Sequence, residues 1–108
     1  MRIDFVKEFT DMPGARYPKQ GKYSGEEFRT KILDPKYRKA KEMNEVLEID
    51  LDGAYGFPPS FLEEAFGGLA RIHEEDDPRD IINRLKIISF DEPGRIDRIN
   101  KYIEDTRE

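Results

Sequence analysis

Three stretches of the chain have the apolar and polar pattern of β-strands. The first covers residues 1–9 (MRIDFVKEF), the second 46–52 (VLEIDLD) and the third 85–90 (LKIISF). In the second stretch Leu47, Ile49 and Leu51 fall on one face, because successive side chains of a strand point to opposite sides. The third is rich in β-branched residues, which favour strands. The pattern therefore predicts three strands.

The region between the first two strands predicts a helix after a long loop. Residues 10–24 are rich in proline, glycine and basic residues and predict the loop. Ser24 and Glu27 form a capping box, so the helix is predicted to begin at Gly25. Proline disfavours helical geometry in the residue before it, so Asp34-Pro35 is predicted to interrupt this helix.

A second helix is predicted between the second and third strands. Ser60 and Glu63 have the spacing of another capping box. An apolar stripe at helical spacing follows: Phe61, Leu62, Ala65, Phe66, Leu69 and Ile72. Gly67 and Gly68 lie inside this helix, where each costs about 1 kcal/mol relative to alanine. Close approach of another helix, a bound partner or a local kink would each explain the pair.

The order of these elements predicts the fold class. A short helix is predicted at Asp77-Pro78, and a last helix opens at Asp91-Glu92-Pro93. Strands that alternate with helices imply parallel pairing with right-handed crossovers. The sequence thus predicts one α/β domain over residues 1–108, with a small, mostly parallel sheet and helices packed against it.

Composition limits the kinds of site that this domain can contain and the compartment in which we expect it. Charged residues make up 40% of the chain and hydrophobic residues 36%, and there is no cysteine. Disulfides and thiolate metal sites are therefore excluded. The sequence shows no apolar run long enough for a transmembrane span and no secretion signal, so we expect a cytoplasmic protein without membrane contact.

Charge is unevenly distributed, although the net charge is −5. Residues 14–41 hold nine lysines and arginines against three acidic residues, with tyrosines interleaved. Binding of nucleic acid or a nucleotide through this segment is therefore an alternative function, since basic groups contact phosphates and aromatic rings stack on bases. The candidate residues are Arg16, Lys19, Lys22 and Arg29. Ordinary solvated helix faces explain the same charges.

Candidate catalytic residues are sparse. His73 is the only histidine, and a single histidine without cysteines predicts neither a catalytic dyad nor a zinc site. Asp50 and Asp52 end a strand and, with Glu63 or Glu64, offer only a loosely spaced set of magnesium ligands. No phosphate-binding loop or dinucleotide fingerprint occurs. We therefore expect no enzymatic activity, no cofactor and no metal site.

The segment LEIDLDGAYGFPPSFLEEAFGGLA, with GKYSGEEFR before it, resembles the bacterial STAS-like family of unknown function. The matching positions are Asp50 to Gly53, Ser60, Phe61, Glu64, Gly67, Gly25, Glu26, Phe28 and Arg29. That family is similar in turn to anti-sigma-factor antagonists, small α/β domains that dock on a histidine-kinase-like ATPase. In those proteins, phosphorylation of a serine at a helix start releases the partner.

The resemblance implies a non-enzymatic regulatory module that binds a protein partner. By element order Ser60 is the candidate phosphorylation site, although Pro58-Pro59-Ser60-Phe61 lacks the acidic neighbour and following glycine of the antagonists. A helix cap that is never phosphorylated remains an equal interpretation of Ser60. The predicted docking surface is loop 53–59 with the exposed face of helix 60–72. Its predicted contact residues are Phe57, Pro58, Ser60, Glu63, Glu64, Gly67 and Gly68.

Overall fold

Three parallel strands lie side by side in the order β1–β2–β3. The computed structural model describes residues 1–107 and gives β1 as Arg2–Asp4, β2 as Leu47–Asp50 and β3 as Leu85–Ile88. In the register, Ile49 of β2 pairs with Ile3 of β1 and Ile87 of β3. The predicted α/β class and parallel sheet are confirmed.

Five helices connect and follow the strands within residues 1–107. They are α1 (Phe5–Glu8), α2 (residues 25–43), α3 (residues 59–72), α4 (Pro78–Arg84) and α5 (Gly94–Asp105). Both α2 and α3 contain a π-helical turn, at Arg29–Leu33 and Glu63–Gly67. In this part of the chain, none of the helices is both long enough and apolar enough to traverse a bilayer.

The first strand is shorter than predicted. β1 ends at Asp4, and helix α1 begins at Phe5. The Asp4 carboxylate accepts a hydrogen bond from the backbone N–H of Lys7 at 3.3 Å, which caps this single helical turn. The predicted strand over residues 1–9 is therefore wrong after Asp4.

Helix α2 begins as predicted but is not interrupted as predicted. The Ser24 hydroxyl accepts a hydrogen bond from the N–H of Glu27 at 3.1 Å, and the helix starts at Gly25. It continues through Pro35 to Met43, because the π-helical turn immediately before Asp34 changes the backbone hydrogen-bond register there. Asn44, with a φ of 53°, ends the helix in the left-handed conformation.

Aromatic side chains join helices α1, α2 and α3 in the core. Phe5 lies 4.9 Å from Phe28 of α2 and 5.8 Å from Phe61 of α3, measured between ring centroids. The predicted inward faces are confirmed for β2 and for most of α3, where Ile72 alone of the predicted stripe is exposed. Helix α3 packs between α2 and α5, and its buried face is wide.

Candidate protein-interaction surface

Ser60 does not cap helix α3. The helix begins at Pro59, so that Pro58 occupies the cap position and Ser60 lies within the first turn. No side-chain hydrogen bond caps this end of the helix, and the predicted capping box of Ser60 and Glu63 is wrong. Proline at the first helical position has a preset φ and no N–H to satisfy, which explains the earlier start. The Ser60 side chain is left partly exposed.

Glu64 lies inside the protein, paired with Arg29 of α2. The Arg29 guanidinium donates from Nη1 to the Glu64 carboxylate at 2.6 Å and to the Glu64 carbonyl at 2.7 Å. Only 9% of Arg29 and 7% of Glu64 is exposed. Glu64 is therefore not on the exposed face where it was predicted, and Arg29 is not available to a phosphate backbone.

Two further arginines complete an ion-pair network, defined as Arg16, Arg29, Glu63, Glu64 and Arg71. Arg16 pairs with Glu63 and lies 3.3 Å from Glu64, while Arg71 donates to Glu63 at 2.6 Å. The hydrogen bond from Arg71 is the main reason why the pKa of Glu63 lies below its ordinary value, and Arg16 adds to it. The network thus ties the loop before α2 and the helix itself to α3.

Two of the four residues predicted to bind nucleic acid belong to this ion-pair network, and two do not. Arg16 and Arg29 are neutralised within the chain, whereas Lys19 and Lys22 are exposed. Of the four candidate residues, Lys19 and Lys22 therefore stay accessible to a phosphate group, and nucleic-acid binding through segment 14–41 stays a prediction.

The paired glycines of α3 face other side chains of the same chain. Both are buried. A Cβ at Gly68 would stand 2.3 Å from Nη1 of Arg29, and one at Gly67 would stand 2.7 Å from Oε2 of Glu63. The Arg29 side chain of α2 therefore fills the space beside Gly68, which comes nearest to the first of the three explanations left open. Neither glycine lies on the predicted exposed face.

Phe57 points inward and anchors its loop. Its ring centroid lies 4.8 Å from that of Phe5, and the guanidinium of the buried Arg95 lies 4.7 Å from the ring centroid. Arg95 also donates to the hydroxyl of Ser89 at 2.9 Å. Phe57 and the partly buried Pro58 hold loop 53–59 in position rather than extending into solvent.

The three most exposed large apolar side chains lie instead in loops beyond the carboxyl end of the sheet. Met12 is 63% exposed, Tyr55 83% and Phe90 84%. We call these three residues the loop patch. Two of them, Tyr55 and Phe90, lie in the loops that follow β2 and β3, at the end of a parallel sheet where α/β proteins usually bind ligands. Sequence reasoning missed Met12 and Phe90, and only their solvent exposure identifies them.

Hydrogen bonds from backbone N–H groups join the three loops to one another. The N–H of Tyr55 donates to the carbonyl of Asp11 at 2.8 Å. The N–H of Gly53 donates to the Asp91 carboxylate, and the N–H of Asp91 donates to the Asp52 carboxylate, both at 2.9 Å. Gly53 has a φ of 95°, which favours glycine in this turn. The loop patch is therefore carried on a defined backbone.

The surroundings of the loop patch are acidic. Asp11, Asp91 and Glu92 are exposed beside its apolar members in sequence. Partial burial alone would raise the pKa of Asp52, but hydrogen bonds from the backbone of Asp91 and Phe90 hold it below its ordinary value. The carboxyl end of β2 and β3 thus combines exposed aromatic rings with negative charge.

Within the described residues, the structure does not assemble the loosely spaced magnesium ligands. Asp50 pairs with Arg2 at 2.7 Å and accepts the N–H of Asp52 at 2.9 Å, while Glu64 is occupied by Arg29. In residues 1–107 the one set of three metal-ligating groups close together is elsewhere, at His73, Glu75 and Asp76.

The sequence match agrees with this architecture. The family model of the STAS-like domain of unknown function (DUF4325) matches residues 24–95. The chain belongs to this family. No curated protein and no solved structure matches the chain, so the family model carries the assignment. In this STAS-like domain the matched region runs from Ser24, which caps α2, to the buried Arg95, and it contains most of the ion-pair network.

Proposed function

We propose that this STAS-like domain is a non-enzymatic regulatory module that binds a protein partner through the loop patch. The observation that carries the proposal is the exposure of Tyr55 and Phe90, two large aromatic side chains at the carboxyl end of adjacent strands. Aromatic residues of this kind supply much of the binding energy of protein interfaces. Their loops are joined by hydrogen bonds, so little ordering is needed when a partner binds.

The charges around the patch indicate the chemistry of the partner. The exposed Asp11 and Asp91 adjoin the apolar residues of the patch in sequence, while the nearby Glu92 is paired with Arg98. A complementary surface offers an apolar recess for the rings and lysine or arginine side chains at its rim. A histidine-kinase-like ATPase is the partner class that the likeness to anti-sigma-factor antagonists supports.

Ser60 is the proposed point of regulation. Among residues 1–107 it is the one serine that is not buried, since Ser24 and Ser89 are enclosed and hydrogen-bonded. It lies five residues after Tyr55, at the start of α3. A phosphate there would add nearly two negative charges next to an acidic surface. We expect this charge to weaken binding if the partner approaches that side.

Site-specific crosslinking tests the proposed surface directly. A photoreactive phenylalanine analogue is placed at Tyr55, at Phe90 or, as a control, at Val46, which is exposed just before the opposite end of β2. We expect one protein to be crosslinked from Tyr55 and Phe90 in the cells that express the domain, and not from Val46. Crosslinking that is equal from all three positions would contradict the proposal.

The affinity of the purified pair then gives the size of the effect. Tyr55→Ala and Phe90→Ala are each expected to weaken binding at least about tenfold, as is usual for an aromatic hot spot. Val46→Ala shortens an exposed apolar side chain at the opposite end of β2 and is expected to leave the affinity unchanged. Ser60→Asp, compared with Ser60→Asn, separates the effect of charge from that of shape. Loss of binding in the aspartate variant alone would support regulation at Ser60.

A further inference from the structure

A second cluster of polar groups lies where α3 ends. His73 is only 1% exposed, and its Nε2 lies 2.5 Å from Oδ1 of Asp34 in α2. The geometry is that of a histidine that donates Nε2–H to an outer carboxylate. The other ring nitrogen, Nδ1, then carries a lone pair when the imidazole is neutral.

Nδ1 of His73 is buried and has no hydrogen-bond partner within residues 1–107. It faces the Glu75 carboxylate, whose Oε1 is 3.4 Å away. One ligand atom each from His73, Glu75 and Asp76 lie within 4.8 Å of one another. A buried polar atom without a partner is uncommon in native proteins and requires an explanation.

The turn that presents these groups is held firmly. The N–H of Asp76 donates to the carbonyl of His73 at 2.9 Å. Arg107 donates from Nη2 to the carbonyls of His73 and Asp76, at 3.1 and 3.0 Å. The three candidate ligands are therefore brought together by the fold before any ion arrives, which reduces the cost of ordering them.

We propose that His73, Glu75 and Asp76 bind a divalent transition-metal ion of the zinc class. Two ligand atoms about 2.1 Å from a tetrahedral zinc ion are about 3.4 Å apart, which is the separation of Nδ1 and Oε1 of Glu75. Imidazole nitrogen favours zinc over magnesium. Asp34 takes the position of the outer carboxylate that orients a metal-bound histidine. Three protein ligands leave a fourth position for water.

Lys41 competes with the ion for the same carboxylates. Its Nζ lies 2.8 Å from Oδ2 of Asp76 and 3.4 Å from Oε1 of Glu75. The Tyr37 hydroxyl donates to the same Oδ2 of Asp76 at 2.8 Å. Lys41 also lines an open cavity of about 380 Å³, which gives its flexible side chain room to move away. Binding of the metal is expected to replace the lysine ammonium as the neutralising cation.

Calorimetric titration of the tag-free chain with zinc chloride tests the site. The chain has one histidine and no cysteine, so a histidine-dependent signal is assigned to His73 without ambiguity. We expect one zinc ion per chain, with magnesium chloride giving no heat. His73→Gln retains an N–H group to donate to Asp34 but removes the Nδ1 ligand, and it is expected to abolish binding.

Glu74 and Glu75 are both exposed, so substitutions at these two positions can be compared without affecting folding. Glu75→Gln is expected to weaken zinc binding about tenfold or more, whereas Glu74→Gln, one residue earlier and also exposed, is expected to have no effect. Lys41→Met is expected to tighten binding, because it removes the competing cation. A purely structural role for Lys41 would not produce that gain.

Nuclear magnetic resonance of the single imidazole decides the outcome if His73→Gln does not fold. Zinc should shift the ring signals of His73 in the wild type and in Glu74→Gln, with a weaker response in Glu75→Gln. Absence of zinc binding in both the wild type and Lys41→Met would overturn the proposal. Binding that leaves the His73 signals unchanged would overturn it as well.

Discussion

The α2–α3 interface and the carboxyl end of the sheet use charged and aromatic residues in opposite ways. At the interface, Arg29 and Glu64 are buried and paired, and a glycine makes room for the guanidinium. At the carboxyl end of the sheet, Tyr55 and Phe90 are exposed while the acidic groups fix the backbone of the loops.

This contrast separates the family motif from the proposed binding site. Gly25, Arg29 and Glu64 belong to the motif, and each makes contacts between α2 and α3. A buried charged pair contributes little net stability but is costly to break. The motif residues therefore specify how the two helices pack, whereas the loop patch, through which we propose that a partner binds, lies outside the motif positions.

Glu64→Leu is expected to have the largest effect on stability. It leaves the Arg29 guanidinium buried without its carboxylate, which typically costs about 3–5 kcal/mol. The measurement is urea denaturation followed by circular dichroism. Adding Arg29→Met to Glu64→Leu should recover most of the loss, because an apolar pair replaces the isolated charge. A single variant as stable as the wild type would show that the pair is not buried in solution.

The two glycines of α3 are expected to differ when replaced by alanine. In Gly68→Ala the new Cβ displaces the Arg29 side chain, which Glu64 holds in place. A loss of about 2 kcal/mol is typical of overpacking at such a site. In Gly67→Ala the neighbouring atom belongs to the partly exposed Glu63, which can move, and the higher helix propensity of alanine offsets about 1 kcal/mol. Equal melting temperatures for the two variants would contradict this assignment.

Glu63 should make a smaller, pH-dependent contribution. Its pKa in the folded chain lies below the ordinary value of 4.5, chiefly because of the hydrogen bond from Arg71. The stabilisation is therefore fully present above about pH 5 and is lost as the pH falls through the folded pKa. Stability curves between pH 3 and 7 should show a loss on acidification that Glu63→Gln reduces. Arg71→Met should reduce the same step, and a profile unaltered by both variants would refute the role of this pair.

Much of the fold could be predicted because its signals are local. The alternation of Leu47, Ile49 and Leu51, and the capping of α2 by Ser24, depend on neighbours in sequence. The errors arose where a local signal competed with a second constraint. Helix α3 begins at Pro59, because proline suits the first helical position, and Ser60 is therefore not its cap. Helix α2 continues past Pro35 because a π-helical turn precedes it.

The candidate sites were less predictable because they depend on distant pairs. Glu64 and Arg29 are separated by 35 residues, and His73 and Asp34 by 39. No rule of sequence spacing connects such positions. The sequence therefore predicts Glu64 as exposed although it is buried, and it does not predict that His73 pairs with Asp34. Exposure of Phe90 is equally a property of the folded chain, since its sequence resembles the end of a buried strand.

The combined variant Tyr55→Ser/Phe90→Ser is expected to have the smallest effect on stability. It is the most direct test of the difference between the buried α2–α3 interface and the exposed loop patch. Both rings are mostly in water, so their removal should change the free energy of unfolding by no more than about 0.5 kcal/mol each. Urea denaturation measures this change. Phe57→Ser in the same loop is the control, and it should cost several times more because its ring packs on Phe5. If the double variant were as unstable as that control, the loop patch would be part of the core, and its exposure would give no reason to place a binding partner there.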